Sequence, residues 1–190
     1  MERQLIGNYR VYAGVRSRVL TDYWTIARAT GAYKGKFPDG LMPRVIDFFD
    51  SYLDLKWNDL KRLYQFGGKV NDGDTVDLNP ECKPTFLTDA VKMEGVPKQK
   101  YDVVFADPGY SDFDYEKWGA KPIKPYSFIA AGLECVKPGG YYILLHTLMY
   151  KMRAFKDSKA IAYIAIDSGP NHRIRGLQIY QKCNGGKDLR

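Results

Sequence analysis

Residues 101–110 read YDVVFADPGY, an apolar run followed at once by an acid, a proline, a glycine and an aromatic residue. An apolar run of this length, bounded by turn residues, is typical of a buried strand at the centre of a parallel sheet. Ligands of open α/β sheets bind just outside the carboxyl ends of the strands. We therefore expect the tetrapeptide Asp107–Tyr110 to lie at the functional edge of such a sheet.

Short β-type runs separated by turn residues continue on both sides of this strand. The six other runs are residues 62–66, 75–78, 85–87, 141–145, 161–166 and 176–180. The last two flank a loop, residues 167–175, which suits an antiparallel hairpin. Seven strands, five of them parallel, predict an α/β fold: a Rossmann-like, mostly parallel sheet flanked by helices, with a C-terminal antiparallel hairpin.

The connection between the first two of these runs is short. Only six residues, 69–74, lie between Gly68 and the second run, whereas a crossover between parallel neighbours ordinarily needs about a dozen. Either the two strands are joined in an unusual way or the first strand lies elsewhere.

The residue pattern of the first 59 residues is typical of a helical region. Residues 11–29 predict one helix, and residues 42–53 predict another, because Pro43 suits a helix start and apolar residues recur on one face behind it. Lys34, Lys36 and Arg44 lie around the loop that connects these two helices, and this loop either closes over the cleft as a lid or only carries surface charge. The predicted division is a helical and lid region of residues 1–59, a core of residues 60–182 and a flexible tail of residues 183–190.

Composition and charge bound the class of protein. A chain of 190 residues with 45% hydrophobic residues can bury one sizeable core. Its formal net charge of +7 favours an anionic partner such as nucleic acid, because a basic surface gains from releasing the counterions of a phosphate backbone. The three cysteines and two histidines show no metal-ligand spacing, and no apolar run approaches the ~20 residues that span a bilayer. We therefore expect a cytoplasmic protein without a metal, a disulfide framework or a membrane segment.

Acids and glycines stand at the ends of successive predicted strands. Gly67 and Gly68 follow the first strand, Asp77 lies in the second, and Asp89 follows the third. Taken singly, each has a local alternative: a loop for the glycines, an Asx turn for Asp77 and a helix cap for Asp89. Their order at successive strand ends favours cofactor binding instead.

This succession resembles class I S-adenosylmethionine-dependent methyltransferases over about residues 60–182. The resemblance implies S-adenosylmethionine as cofactor, with a glycine loop that approaches it, one acid that binds the ribose hydroxyls and another that binds the adenine amino group. A glycine has no Cβ to block this approach, and a carboxylate can accept two hydroxyl protons. The residues so assigned to the cofactor are Phe66, Gly67, Gly68, Asp77, Leu78, Asp89, Ala90 and Asp107.

Within that class, the tetrapeptide Asp107–Tyr110 resembles the [DNS]-P-P-[YFW] motif of amino methyltransferases, which modify the exocyclic amine of a base, or glutamine. An aromatic amine is a poor nucleophile because its lone pair is delocalised into the ring. The resemblance implies that the Asp107 carboxylate and the Pro108 carbonyl accept the two amine N–H groups, and that Tyr110 stacks on a flipped-out base. Gly109 departs from the second proline of the motif.

The finer pattern is similar to a group of small methyltransferase-like proteins encoded by phages and mobile elements. It comprises residues 66–68, 77–81, 88–90, 106–111 and 169–175. These proteins share the short gap after the first strand, which favours an unusual join over a misplaced strand. Because their substrates are poorly defined, this resemblance bears on fold and cofactor more than on the target.

Further residues near the same edge are candidates for substrate contact, together with Tyr110. They are Ser111, Tyr115, His146, Arg173 and Arg175. Tyr115 lies in an expected mobile substrate loop behind the tetrapeptide. His146 either reaches the cleft or is a hydrogen-bonded core residue, and the two arginines either pair with phosphates or form a solvated hairpin tip.

The sequence therefore predicts an S-adenosylmethionine-dependent methyltransferase that acts on an exocyclic amino group, with adenine in DNA as the leading target. The expected partners are nucleic acid, DNA ahead of RNA, and a second copy of the chain or a partner subunit. Two alternatives stay open at this point: an RNA or protein-amide methyltransferase, and a catalytically silent cofactor-binding subunit of a larger complex.

Overall fold

The computed structural model describes residues 3–6, 9–12, 19–27, 37–117, 120–150, 155, 157–168 and 174–183. The strands in this part of the chain are β1 (Arg3–Ile6), β2 (Tyr9–Tyr12), β3 (Leu20–Thr25), β4 (Arg62–Gln65), β5 (Asp74–Asp77), β6 (Phe86–Leu87), β7 (Tyr101–Ala106), β8 (Val136–His146), β9 (Ser158–Asp167) and β10 (Ile174–Lys182). The α-helices are α1 (Leu41–Asp47), α2 (Asp112–Lys117) and α3 (Pro125–Cys135). A π-helical turn, Phe48–Tyr52, continues α1, and short 3-10 turns occupy Trp57–Asp59 and Pro80–Cys82.

Eight strands form one sheet in the order β3-β9-β10-β8-β7-β4-β5-β6, and β1 pairs with β2 separately. Strands β4 to β8 run parallel to one another. Strand β10 is antiparallel to both of its neighbours, β8 and β9. The parallel centre and the C-terminal antiparallel hairpin predicted from the sequence are thus confirmed, and β3 adds an eighth strand that the prediction lacked.

The helix predicted over residues 11–29 is wrong in the part of that range that the structure describes. Residues 11 and 12 end β2, and residues 20–25 form β3, which pairs in parallel with β9. Within β3 and just after it, Leu20, Trp24 and Ile26 are buried while the alternate positions Tyr23 and Thr25 are exposed. This period of two, together with Thr, Tyr and Trp residues, is a strand signal.

Helices cover the sheet on both faces, so its central strands are apolar throughout. Val103 and Phe105 of β7 face the cluster under α1 and its π-helical turn, which confirms the helix predicted over residues 42–53. Val104 and Ala106 face the opposite cluster, where Phe128 and other residues of α3 lie. Burial on both faces explains why residues 101–106 show no alternation of apolar and polar side chains.

The short connection between β4 and β5 is an unusual join of correctly placed strands. The two strands are parallel neighbours, and residues 66–73 connect them without a helix. Each strand has only four residues. The connection therefore has to run only about 13 Å, from the end of β4 back to the start of β5. The Arg62 guanidinium and the Tyr64 hydroxyl donate to the Asp72 carboxylate, both at 3.0 Å, and fix the end of this return.

The described residues cover only part of each region in the predicted division of the chain. Strand β3 lies in the same sheet as the strands of residues 60–182. The proposed lid residues Lys34 and Lys36 fall outside the described residues, as do residues 184–190 of the proposed tail. The boundaries at residues 59 and 182 stay predictions.

Candidate active site

The carboxyl ends of the central strands meet at one edge of the sheet. Gln65 pairs with Ala106 between β4 and β7, and Asp77 pairs with Leu87 between β5 and β6. The segments that follow these strands therefore lie side by side, which brings the glycine pair, the two acids and the tetrapeptide to one edge. Ligands of parallel sheets bind at such an edge.

The glycine loop is tied directly to Asp77. The Gly68 amide donates to Asp77 Oδ2 at 2.8 Å, and the Asn79 amide donates to Oδ1 at 2.8 Å. A Cβ at position 67 would lie 2.7 Å from the Thr75 Cβ, so only glycine fits there. A carboxylate offers about four lone-pair directions, and Asp77 therefore keeps acceptor capacity for a ligand. Beside it, the Leu78 side chain is 58% exposed.

Asp89 stands beside Asp77 because the Thr88 amide donates to the Asp77 carbonyl at 3.2 Å. Asp89 Oδ1 accepts from the Val91 amide at 2.6 Å, and the Asp89 carbonyl accepts from the Met93 amide at 2.8 Å. Both acids thus make the local turn bonds of the alternative interpretation and also lie at the shared edge. The neighbouring Ala90 is buried, with 6% of its surface exposed.

A buried polar network behind these loops was missed by the sequence analysis. Gln65 is 1% exposed, and its Nε2 donates to the Ala90 carbonyl at 2.6 Å and the Phe128 carbonyl at 2.9 Å. The Tyr142 hydroxyl donates to Gln65 Oε1 at 3.0 Å. The network joins β4, the Asp89 turn, α3 and β8. Its only sequence signal was a glutamine inside an apolar run. The adjacent Phe66 has a φ of 62° and packs its ring 5.2 Å from that of Phe128.

Asp107 lies half-buried at the end of β7, in contact with Tyr110. The Tyr110 hydroxyl donates a hydrogen bond to Asp107 Oδ1. Arg175 of β10 lies 5.9 Å from the centre of the Tyr110 ring. Burial raises the pKa of Asp107 to about 6, against the opposing effects of the Tyr110 hydrogen bond and the Arg175 charge. The intervening Pro108 and Gly109 are buried.

His146, at the end of β8, is both a core residue and a neighbour of this cluster. It is 5% exposed, and its Nδ1 accepts from the Leu148 amide at 3.0 Å. Its ring meets the Tyr110 ring edge to face, with centroids 5.4 Å apart. Burial lowers the pKa of His146 to about 4, so the imidazole is neutral at pH 7.

The remaining substrate candidates are dispersed. Ser111 is exposed, whereas Tyr115 is 8% exposed within α2, which occupies the segment expected to be a mobile loop. Arg173 lies outside the described residues. The structure therefore brings together Asp107, Tyr110, His146 and Arg175, and leaves the roles of Ser111, Tyr115 and Arg173 as predictions.

The described ranges also bear on metal ligation and membrane insertion. Within them, His, Cys, Asp and Glu side chains form no group of three or more able to hold a metal ion. None of the helices seen there has the length and apolar character required to cross a membrane.

Replacing Asp107 with asparagine is expected to stabilise the protein above pH 6. Because burial raises the pKa of Asp107 from 3.8 to about 6, the folded chain holds an extra proton between these pH values, and its stability falls as that proton is lost. Relative to wild type, the variant should gain on the order of 2 kcal/mol in free energy of unfolding at pH 8 compared with pH 3.5. Urea denaturation at both pH values measures this. A difference independent of pH would contradict the raised pKa.

Comparison with known proteins identifies the fold. No protein-family model and no curated protein matches the chain. Its structure is similar to that of the proposed methylase HI0767 of Haemophilus influenzae, with a TM-score of 0.51 and 12% identity over 75% of this chain and 98% of the other. It is also similar to the 1,6-didemethyltoxoflavin-N1-methyltransferase of Burkholderia thailandensis, with a TM-score of 0.54 and 9% identity over 77% of this chain and 80% of the other. The latter structure contains S-adenosylhomocysteine. The chain thus has a methyltransferase fold.

Proposed function

We propose that this protein is an S-adenosylmethionine-dependent methyltransferase that acts on an exocyclic amino group, with adenine in DNA as the leading target. The observation that carries the proposal is the half-buried Asp107 carboxylate at the end of β7, at the edge that also presents Gly68, Asp77 and Asp89. This edge is where parallel α/β sheets bind nucleotides.

The residues at the ends of β4, β5 and β6 fit a nucleoside cofactor. Asp77 has spare lone pairs for ribose hydroxyls, and its carboxylate holds the Gly68 amide in place. The exposed Leu78 side chain offers an apolar surface to a flat ring. Asp89, fixed by its own turn, is the acceptor for an amino group. When bound, S-adenosylmethionine supplies an electrophilic methyl group.

Asp107 and Pro108 orient the accepting amine. An ionised carboxylate accepts one N–H of the amine, and the Pro108 carbonyl accepts the other, which localises the nitrogen lone pair for attack. Because the pKa of Asp107 is about 6, the carboxylate is ionised at pH 7 and above. Most of the rate enhancement would come from this alignment.

A nucleic-acid substrate is supported by charge and by Arg175. The formal net charge of +7 favours a polyanion. The buried Nε of Arg175 has no hydrogen-bond partner among the described residues, and arginine N–H groups are well suited to phosphate oxygens. Tyr110, beside it, offers an aromatic ring for stacking on a base.

Incubation with tritiated S-adenosylmethionine and separate pools of DNA, RNA and protein tests the proposal. We expect label in DNA. Label confined to RNA or protein would move the target to those classes. If cofactor binds but no pool is labelled, the protein is not an enzyme for these substrates and the silent-subunit alternative takes its place.

Replacing Asp77 with alanine is expected to weaken cofactor binding about 10- to 100-fold, because the variant loses the ribose acceptor and the anchor of the glycine loop. Isothermal titration calorimetry measures the change in Kd. Asp74→Asn is the matched control, since Asp74 lies at the opposite end of β5 and accepts from the Tyr101 hydroxyl at 2.8 Å. Equal affinities for the Asp77 variant and the control would remove Asp77 from the site.

A further inference from the structure

One of the two Asp107 carboxylate oxygens is already engaged within the protein. The Tyr110 hydroxyl donates a hydrogen bond to Asp107 Oδ1. A substrate amine would use the same carboxylate as its acceptor. An amine that binds through Oδ1 therefore competes with the hydroxyl for that oxygen.

Arg175 and His146 hold Tyr110 in this position. The Arg175 guanidinium lies 5.9 Å from the Tyr110 ring centre, within the range of a cation–π interaction. Its Nη1 donates to the Tyr110 hydroxyl oxygen at 3.5 Å, and its Nη2 donates to Ser168 Oγ at 3.0 Å. The His146 ring also packs against the Tyr110 ring, with the two ring centroids 5.4 Å apart. Tyr110 is thus fixed from β8 and β10.

We propose that Tyr110 and Arg175 form a latch that occupies Oδ1 of Asp107 until a substrate amine displaces the tyrosine hydroxyl. Arg175 is then a positioning residue, which acts on Asp107 through Tyr110. Displacement frees the Tyr110 ring for stacking on the incoming base. Displacement of the hydroxyl by a substrate amine rests on the proposed function. The contacts of Tyr110 with Asp107 and Arg175 in the free protein do not.

The latch makes the ionisation of Asp107 depend on Tyr110 and Arg175. A hydrogen bond donated to a carboxylate and a nearby cation both favour its charged form. Among the described residues, the groups in contact within this cluster include Tyr110 behind β7, Arg175 in β10 and His146 in β8. His146 is neutral above about pH 4, so Tyr110 and Arg175 supply the effect.

Carboxyl ¹³C NMR of the cofactor-free protein tests the latch without any activity. Tyr110→Phe and Arg175→Gln should each raise the pKa of Asp107 relative to wild type. Arg175→Lys, which keeps the charge but loses the planar guanidinium, should give a value between wild type and Arg175→Gln. In the wild type, the Tyr110 ¹³Cζ signal should titrate together with Asp107, which keeps the test valid if a variant folds poorly. Independent titration of the two residues, or an unchanged pKa in Tyr110→Phe, would overturn the latch.

Steady-state kinetics tests whether the substrate amine displaces the Tyr110 hydroxyl from Asp107. Tyr110→Phe keeps a stacking ring but removes the competing hydroxyl, so KM for the amine substrate should fall about tenfold, the value of one charge-assisted hydrogen bond. A KM equal to or above that of wild type would overturn the competition. If the NMR result holds and no variant transfers methyl groups, the latch stands and the proposed function fails.

Discussion

Replacing Asp107 with alanine is expected to lower kcat/KM for methyl transfer about 1,000-fold, the loss typical when a preorganised electrostatic group is removed. The variant lacks the acceptor that orients the amine at the end of β7. Cofactor affinity should stay within a few-fold of wild type, because Gly68, Asp77 and Asp89 are bonded independently of Asp107. Transfer assays with labelled cofactor and calorimetry measure the two quantities.

Asp107→Asn is the informative companion to this variant. Asparagine keeps a carbonyl acceptor, so it should retain more activity than alanine. Asp102→Asn is the matched control: Asp102 lies at the other end of β7 and accepts from the Lys137 ammonium group at 2.9 Å. Full transfer activity in Asp107→Ala would remove Asp107 from the mechanism.

Replacing Gly132 with valine is expected to destabilise the protein by about 3–4 kcal/mol, the sum of overpacking and a broken buried hydrogen bond. A Cβ at this position of α3 would lie 2.6 Å from Gln65 Oε1 and would also overlap the Tyr142 ring. Both neighbours are fully buried and hydrogen-bonded to each other, so neither side chain can move aside without a large cost in free energy. For a chain of this size the melting temperature should fall by roughly 10 °C.

Ala130→Val is the control for this prediction, because Ala130 lies on the exposed face of the same helix. It should cost less than about 1 kcal/mol. Calorimetric melting of both variants gives the comparison. If the two variants melt within about 2 °C of each other, the Gln65 and Tyr142 network does not constrain α3.

Most of the sheet was predictable because a strand that is buried on both faces has a continuous run of apolar residues. Strand β7 is apolar at nearly every position since α1 and α3 cover its two faces. Turn chemistry then marks where each strand ends, as in the Gly67–Gly68 pair and at Asp89. These signals are local, so they need no knowledge of which strands are neighbours.

Strand β3 was missed because its partner is remote. It pairs with β9, from Leu20 with Ala162 to Thr25 with Asp167. No residue near position 20 indicates that pairing. The apparent helical pattern of residues 11–29 outweighed the alternation of residue types that is typical of a strand. Tertiary pairing decided between two local interpretations.

The sequence by itself determined the apolar strand of residues 101–106, the acids and glycines at the strand ends, and the helix after residue 40, because each depends on neighbouring residues alone. Only the tertiary structure decided what those residues touch. It placed Gln65 between the Ala90 and Phe128 carbonyls, and it set Arg175 over a tyrosine 65 positions earlier in the chain. Such contacts arise from sheet order and strand register, which no short stretch of sequence contains.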